Sequence, residues 1–162
     1  MPAARKPLVL AWLVRARGVR RALVFTRSAA STQRLVRLLA LLGAARPAPD
    51  DGGGTADAAA FSSDLPAGER AALLARFRAG KVGLLVCSDV VARGLDVPGV
   101  AHVVSYDAPA DVRRYVHRAG RTARAGAAGD AWTLVEEQEV RRGRRRVREV
   151  LSEARRGTSR AC

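Results

Sequence analysis

Three arginines in the last third of the sequence have a spacing that suits phosphate chemistry. Arg118, Arg121 and Arg124 follow one another at intervals of three, with small residues and glycine among them. A guanidinium group is always charged, and it forms two parallel hydrogen bonds to phosphate oxygens. At this spacing the three cationic groups can reach the same region of space. The pattern indicates a phosphate-binding site, and its structural alternative is the solvated end of a basic helix.

A second segment places hydroxyl, small and glycine residues directly after a predicted buried strand. The apolar run Val82–Cys87 predicts that strand, and Ser88 opens the segment that continues to Pro98. Hydroxyl and amide groups at a strand end approach a phosphodiester closely. Gly94, two residues before Asp96, permits a tight backbone turn. This segment therefore favours contact with a nucleic-acid backbone.

Together the two segments resemble motifs V and VI of the DEAD-box family of ATP-dependent RNA helicases. The sequence RGLD at residues 93–96 is followed by YVHRAGRTARAG at residues 115–126. Residues 23–26 (LVFT) are similar to the family's motif IV, and the resemblance runs from Lys6 to Val135. His117 stands at the start of motif VI, where the DEAD-box group has His and the related DEAH and viral helicases have Gln.

The resemblance implies roles within the C-terminal one of the family's two RecA-like lobes. Arg121 and Arg124 match two arginine fingers, which neutralise charge on an ATP held with Mg²⁺ mainly by the N-terminal lobe. Asp96 matches the acid that contacts the nucleotide ribose, and His117 matches a residue that couples the two lobes. The positions that match RNA backbone contacts are Thr26, Arg70, Ser88 and Gly94.

Several of these residues also have structural explanations. Arg70 fits the outer surface of a helix as well as a phosphate contact, and Asp96 fits the cap of a turn. For Arg118 we favour an internal ion pair with Asp89, Asp96 or Asp107 over a ligand contact.

The sequence departs from the family pattern at three positions. Ala67 stands where the family often has Gln, which weakens the case for a Gln-mediated contact there. Ser88 replaces the commoner Thr but keeps the hydroxyl group. Ala123 replaces a common Gly, and we expect this change to be tolerated if the φ angle is negative.

The elements that must position these residues alternate between strands and helices. Short apolar runs predict strands at Ala22–Phe25, Ala58–Ser62, Val82–Cys87, Ala101–Ser105 and Asp130–Val135. Strands alternating with helices pair in parallel through crossover helices. The predicted fold class is therefore α/β, a RecA-like open and mainly parallel sheet with helices on both faces.

Helical spacing of apolar residues predicts the helices between the strands. The first helix ends at Gly18 and packs through Val9, Trp12, Leu13 and Ala16. The second has Ser31 as its N-cap and ends at Gly43. The third opens at Pro66, packs through Leu73, Leu74 and Phe77, and ends at Gly80.

The predicted domain organisation is one lobe followed by a basic tail. Residues 1–135 form the lobe, with a flexible Pro/Gly/Asp loop at residues 44–57. Residues 136–162 form a closing helix and an arginine-rich tail, docked by an apolar stripe with its arginines facing outward.

The charge balance points to a polyanionic partner. The chain has 29 Lys and Arg against 15 Asp and Glu, a formal net charge of +14, which attracts polyanions such as nucleic acid or an acidic membrane surface. The family resemblance implies RNA as the partner. The apolar run Leu8–Val14 is too short to span a membrane, and we favour an ordinary amphipathic helix there over an organelle transit peptide. The expected location is intracellular, in the nucleus or nucleolus.

The phosphate-binding motifs of the family's N-terminal lobe do not occur in this sequence. There is neither a GxxxxGK[ST] pattern nor an Asp-Glu-Ala-Asp sequence. The chain therefore resembles a fragment or a truncated product, which supplies arginine fingers and part of an RNA surface to an absent N-terminal lobe. Alone it is predicted to have no ATPase activity. The alternative function is a non-catalytic basic RNA-binding module.

Overall fold

Five parallel strands form the centre of the molecule. The computed structural model describes residues 1–44, 58–92, 97–123 and 128–140. Within these ranges the strands are β1 (Ala22–Thr26), β2 (Ala58–Phe61), β3 (Leu84–Ser88), β4 (His102–Ser105) and β5 (Asp130–Thr133). Their order is β2-β3-β1-β4-β5, and every neighbouring pair is parallel. The predicted parallel sheet is confirmed.

Helices connect the strands and cover the sheet on both faces. They are α1 (Lys6–Ala16), α2 (Ala29–Ala44), α3 (Ala67–Arg78), the single turn α4 (Asp89–Ala92) and α5 (Val112–Ala119). None of the helices in the described ranges is long and apolar enough to cross a bilayer.

Alternate residues of the central strands build two separate cores. Val24 and its neighbours on one face pack with Leu13 of α1 and Leu35 of α2. Leu23 and its neighbours on the other face pack with Phe77 of α3. This alternation follows from the two-residue period of a strand. Each fully buried aliphatic side chain stabilises the fold by roughly 1.5–3 kcal/mol.

The first helix is present, and the face predicted for it is right at Val9 and Leu13, which contact the core, but wrong at Trp12. Its buried apolar residues are Leu10, Leu13 and Val14, whereas Trp12 is 52% exposed. Both sets of residues have helical spacing and share Leu13, so periodicity alone does not separate them. The observed face carries the two leucines and packs against the sheet.

The second helix begins earlier and ends later than predicted. Ser28 caps it in place of Ser31, because the Ser31 backbone N–H donates to Ser28 Oγ at 3.2 Å. Gly43 lies inside the last turn, and the helix ends at Ala44. The extra turn at the start brings the helix closer to the end of β1.

The third helix agrees with the prediction, and the last one is described only at its start. Phe77 of α3 is fully buried, and Gly80 follows the helix with a φ of +74°, a conformation that glycine adopts readily. The Val140 backbone N–H donates to the Glu136 carbonyl, which forms the first turn of the predicted closing helix. The rest of that helix, the basic tail and the predicted loop after Ala44 lie outside the described residues.

Candidate functional site

Helix α5 carries the first part of the arginine motif and starts at the carboxyl end of β4. Its N-cap is Asp111, whose Oδ1 accepts a hydrogen bond from the Arg114 backbone N–H at 2.8 Å. Such a cap stabilises a helix by roughly 1 kcal/mol. The cap fixes where the helix begins and therefore which side chains face the sheet.

The Arg118 side chain lies between α5 and the sheet, where it contacts residues in or just after three strands. Its Nε and Nη2 donate to the two carboxylate oxygens of Asp89 at 2.7 and 2.8 Å, and its Nη1 donates to the Asp107 carbonyl at 2.7 Å. The guanidinium carbon lies 5.1 Å from the centre of the Phe25 ring. Asp89 follows β3, Asp107 follows β4 and Phe25 belongs to β1. The internal ion pair predicted for Arg118 is confirmed.

Asp107 extends this network toward the first helix. Its Oδ2 accepts a hydrogen bond from the Arg27 backbone N–H at 2.8 Å. Its Oδ1 lies 3.8 Å from the Nζ of Lys6, a lysine whose side chain is only 2% exposed. One carboxylate therefore ties the end of β1 and the start of α1 to the turn that leads into α5.

Two acids after β5 complete the surroundings of Lys6. Glu136 Oε1 lies 3.0 Å and Glu139 Oε2 lies 3.4 Å from the Lys6 Nζ. The hydrogen bond from Lys6 holds the pKa of Glu136 below its ordinary value. The predicted boundary between residues 135 and 136 falls inside this ion cluster. Sequence reasoning missed the cluster, because its members are far apart in the chain.

Thr122 anchors the turn that follows α5. Its hydroxyl is buried and lies 2.8 Å from the Val100 carbonyl and 2.9 Å from the Ala101 carbonyl, just before β4. A Cβ atom added to Gly129 would overlap the Thr122 Oγ1, so this close approach requires glycine. Thr122 stands between the matched arginines at an unspecified position of the motif pattern, and sequence reasoning missed it.

The φ angle of Ala123 is positive, whereas we expected alanine to be tolerated at this position only with a negative φ angle. Its φ is +54°, in the left-handed region that favours glycine. An L-residue pays roughly 1–2 kcal/mol for this conformation. The turn that carries the arginines therefore contains local backbone strain.

Two of the predicted catalytic residues, His117 in α5 and Arg121 just after it, lie together at one pocket. His117 is exposed and Arg121 is partly exposed, and the Arg121 Nε donates to the His117 carbonyl at 3.3 Å. Both side chains line a small pocket whose other members are Phe25, Asp89, Ala92, Arg114 and Arg118. The Asp89 charge is engaged by Arg118, so the accessible rim of this pocket is cationic and suits a phosphate group.

Thr26 has an internal position that differs from the predicted RNA contact. Its side chain is fully buried, and its Oγ1 lies 2.6 Å from the Thr32 Oγ1 and 3.4 Å from the Cys87 carbonyl. These contacts join the end of β1 to α2 and β3. The Thr26 hydroxyl is therefore committed within the protein.

Ser88 and Arg70 lie near the carboxyl end of the sheet. Ser88 is the last residue of β3, opposite Thr26 in the strand register, and is 8% exposed. Arg70 is partly exposed in the first turn of α3, which follows the carboxyl end of β2. In parallel sheets these strand ends share one edge, where ligands bind.

Three predicted site residues, Gly94, Asp96 and Arg124, lie outside the described residues. Among the residues that the structure does describe, there is no group of three or more His, Cys, Asp or Glu side chains that could hold a metal ion.

Comparison with known families and structures connects this geometry to helicases. The family described as "Helicase conserved C-terminal domain" matches residues 5–126. The chain is 44% identical over 145 residues to the human ATP-dependent RNA helicase DDX51, covering 90% of this chain and 20% of that protein. The chain thus spans about a fifth of the length of the curated relatives it matches.

Solved structures of DEAD-box proteins share the fold. E. coli SrmB bound to regulator of ribonuclease activity A matches with a TM-score of 0.71 and 32% identity, covering 83% of this chain and 72% of that one. S. cerevisiae Dbp5 bound to RNA and ADP BeF3 matches with a TM-score of 0.66 and 29% identity, covering 83% of this chain and 33% of that one.

Proposed function

We infer that this chain, which belongs to the DEAD-box RNA helicases and carries their conserved C-terminal helicase domain, completes an ATP site begun by an N-terminal lobe. The observation that carries this proposal is the division of residues around α5. Arg118 is buried and paired with Asp89 at the base of the pocket, while His117 and Arg121 line the same pocket with more exposed side chains. The buried pair stabilises the helix, and the side chains of His117 and Arg121 lie on the accessible part of the pocket, where a ligand would contact them.

The proposed task of Arg121 is to stabilise negative charge during phosphoryl transfer. Its guanidinium is permanently charged and, together with that of Arg114, makes the pocket rim cationic, which fits the phosphates of ATP. Bound ATP with Mg²⁺ supplies the phosphoryl group that is transferred to water. An arginine finger accelerates such reactions by roughly 10³–10⁵ in known cases. Arg124 is proposed as the second finger, and Asp96 as the ribose contact.

His117 is proposed to couple the two lobes. It is exposed on α5, and its carbonyl accepts a hydrogen bond from Arg121. A lobe that docks against His117 therefore also affects the position of the finger. This arrangement links closure of the cleft to catalysis.

RNA is proposed to bind at the carboxyl end of the sheet. Arg70 and Ser88 support this proposal because they lie at the strand ends, and Gly94 is proposed to belong to the same surface. Thr26 is not included, because its hydroxyl is used inside the protein. A relative of the same fold, Dbp5 of S. cerevisiae, has been solved with RNA.

The alternative function, a basic RNA-binding module without catalysis, is favoured by the net charge of +14. The two functions differ in what the isolated chain does. In both, the chain alone has no ATPase activity, but only the helicase half gains activity when an N-terminal lobe is supplied. A nuclear or nucleolar location stays a prediction.

The test uses a protein that joins this chain to a DEAD-box N-terminal lobe. Arg121→Ala and Arg124→Ala should each lower kcat by about 10²-fold or more at saturating ATP and RNA, because a finger acts on transition-state charge. Arg121→Lys should recover little of that loss, since an ammonium group lacks the planar two-pronged contact. The matched control is Arg113→Ala, an exposed arginine of α5 that does not line the pocket.

Unchanged kcat in both finger variants would contradict the proposed role of these arginines. Equal losses in the Arg113→Ala control and the Arg121→Ala variant would contradict it as well, since any loss of positive charge would then have the same effect. The absence of RNA-stimulated turnover in the unaltered two-lobe protein would favour the non-catalytic alternative.

A further inference from the structure

Acidic side chains of the described residues are concentrated at one end of the sheet. Eight of the nine Asp and Glu residues in the described ranges follow the carboxyl end of a strand. The exception is Asp130, which starts β5 at the opposite, amino end. Among the residues that the structure describes, Asp130 is therefore the one acid at the amino end of the sheet.

Exposed cations occupy that amino end. They follow the helices α1 and α3 or lie in their last turns, just before β1 and β3 begin. We call the set the amino-end surface, and it consists of Arg15, Arg17, Arg20, Arg21, Arg76 and Lys81, all exposed. These residues precede the strands, whereas the proposed RNA contacts Ser88 and Arg70 lie at the carboxyl end of β3 and after the carboxyl end of β2.

Three contacts make the amino-end surface continuous across the sheet. The Arg17 guanidinium carbon lies 5.6 Å from the centre of the Trp132 ring in β5. The Arg21 guanidinium lies against Gly99, just before β4, where an added Cβ would overlap it. The Ala22 backbone N–H donates to the Gly83 carbonyl at 2.9 Å, which joins the segments before β1 and β3.

The row of cations thus crosses four neighbouring strands, β5, β4, β1 and β3. At about 4.8 Å between strands, this row is about 14 Å wide. Guanidinium groups fixed at several points along such a row match a ligand with regularly repeated negative charges. The row is too wide for a single phosphate and fits a stretch of phosphodiester backbone.

We propose that the amino-end surface binds the sugar-phosphate backbone of duplex RNA, at a site separate from the helicase cleft. A duplex is favoured over a single strand because the Trp132 ring in β5, which Arg17 contacts, packs against the core and is covered by that arginine, so it is not an open face for base stacking. Proteins that bind single strands use open aromatic faces on which bases stack. A duplex is favoured over an acidic polypeptide because its phosphates lie at high, regular charge density.

This site goes beyond the proposed ATP-dependent function and does not depend on it. It uses no residue of the cleft, so duplex binding there should be unaffected by nucleotide. A surface of this kind would hold a double-stranded region of the substrate while the opposite end of the lobe engages a single strand.

The test measures binding of a fluorescent blunt RNA duplex of about 20 base pairs to the full chain by anisotropy at several salt concentrations. The amino-end triple variant carries Arg21→Gln, Arg76→Gln and Lys81→Gln. The control triple carries Arg5→Gln, Arg34→Gln and Arg37→Gln, which are exposed arginines outside the surface. Both triples remove three positive charges, so their net charge is the same.

The amino-end triple should bind the duplex at least about tenfold more weakly. The negative slope of log affinity against log salt should become shallower by about three. The control triple should lose less than about threefold. A double variant, Arg76→Gln with Lys81→Gln, changes two exposed residues at the end of α3 and gives the same test with less alteration of the chain. Circular dichroism checks that each variant is folded.

Equal losses in the two triples would overturn the proposal, because net charge alone would then explain binding. Unchanged affinity in the amino-end triple would overturn it too. Tighter binding of polyglutamate than of the duplex at equal salt would assign the surface to an acidic protein partner instead.

Discussion

Arg118 and Arg121 are two arginines of one motif that lie in different surroundings, one buried and one partly exposed. Arg118 is 3% exposed and bonds to Asp89 and Asp107, whereas Arg121 is partly exposed at the pocket, where its Nε donates to the His117 carbonyl. Both belong to one motif at a spacing of three. The difference teaches that residue type and spacing locate a site, while burial and partners decide which residues hold it and which act in it.

The largest effect on stability should come from the buried side of this comparison. Arg118→Ala leaves the Asp89 carboxylate without its partner, so the free energy of unfolding should fall by about 3–5 kcal/mol. Urea unfolding of the full chain measures the change. Arg121→Ala is the control, with an expected change within about 0.5 kcal/mol. Equal losses of stability in the two variants would remove the distinction between the holding and the acting arginine.

A smaller loss should follow from removing the hydroxyl group of Thr122. Thr122→Val keeps the shape of the side chain but leaves the Val100 and Ala101 carbonyls without their donor, which costs about 1–3 kcal/mol. Thr122→Ser keeps the hydroxyl and should lose less. Thermal unfolding compares the two variants. Similar melting temperatures for both would show that the hydroxyl group does not hold the turn.

Relief of backbone strain should stabilise the same turn. Ala123→Gly removes the cost of a φ of +54° but adds freedom to the unfolded chain, so a net gain of about 0.5–1 kcal/mol is expected. The control is Ala72→Gly, an exposed position inside α3, which should lose up to about 1 kcal/mol. A loss of stability in Ala123→Gly, measured by urea unfolding, would contradict the strain at this position.

The smallest effect concerns pH and the cluster around Lys6. The pKa of Glu136 is lowered in the folded protein, so its ionised form adds stability that is present above the unfolded pKa and disappears as pH falls through the folded one. Glu136→Gln should therefore weaken the dependence of unfolding free energy on pH in the acidic range. Urea unfolding at pH 7, 5 and 4 measures both curves. Parallel curves would show that Glu136 gains nothing from Lys6.

Much of the fold follows from local sequence patterns. The strands were predictable because short apolar runs such as Val82–Cys87 are buried on both faces, and the Arg118 pair was predictable from its motif. The contacts that hold the site together were not predictable from local patterns. Lys6 and Glu136 lie at opposite ends of the described chain, and only folding brings them together. Likewise, the burial of the Thr26 hydroxyl depends on Thr32 and on the neighbouring strand, which no local pattern reports.

The pairing of the central strand also constrains how the chain folds. Ala22 of β1 pairs with Leu84 on one side and His102 on the other, so the middle of the sheet forms only when segments far apart in sequence meet. Non-local contacts of this kind slow folding, because long loops must close first. During synthesis, β1 therefore emerges long before either neighbour. Until β3 and β4 arrive, the apolar strand Ala22–Thr26 depends on α1 and α2 for cover, and that interval is when the chain is most exposed to aggregation.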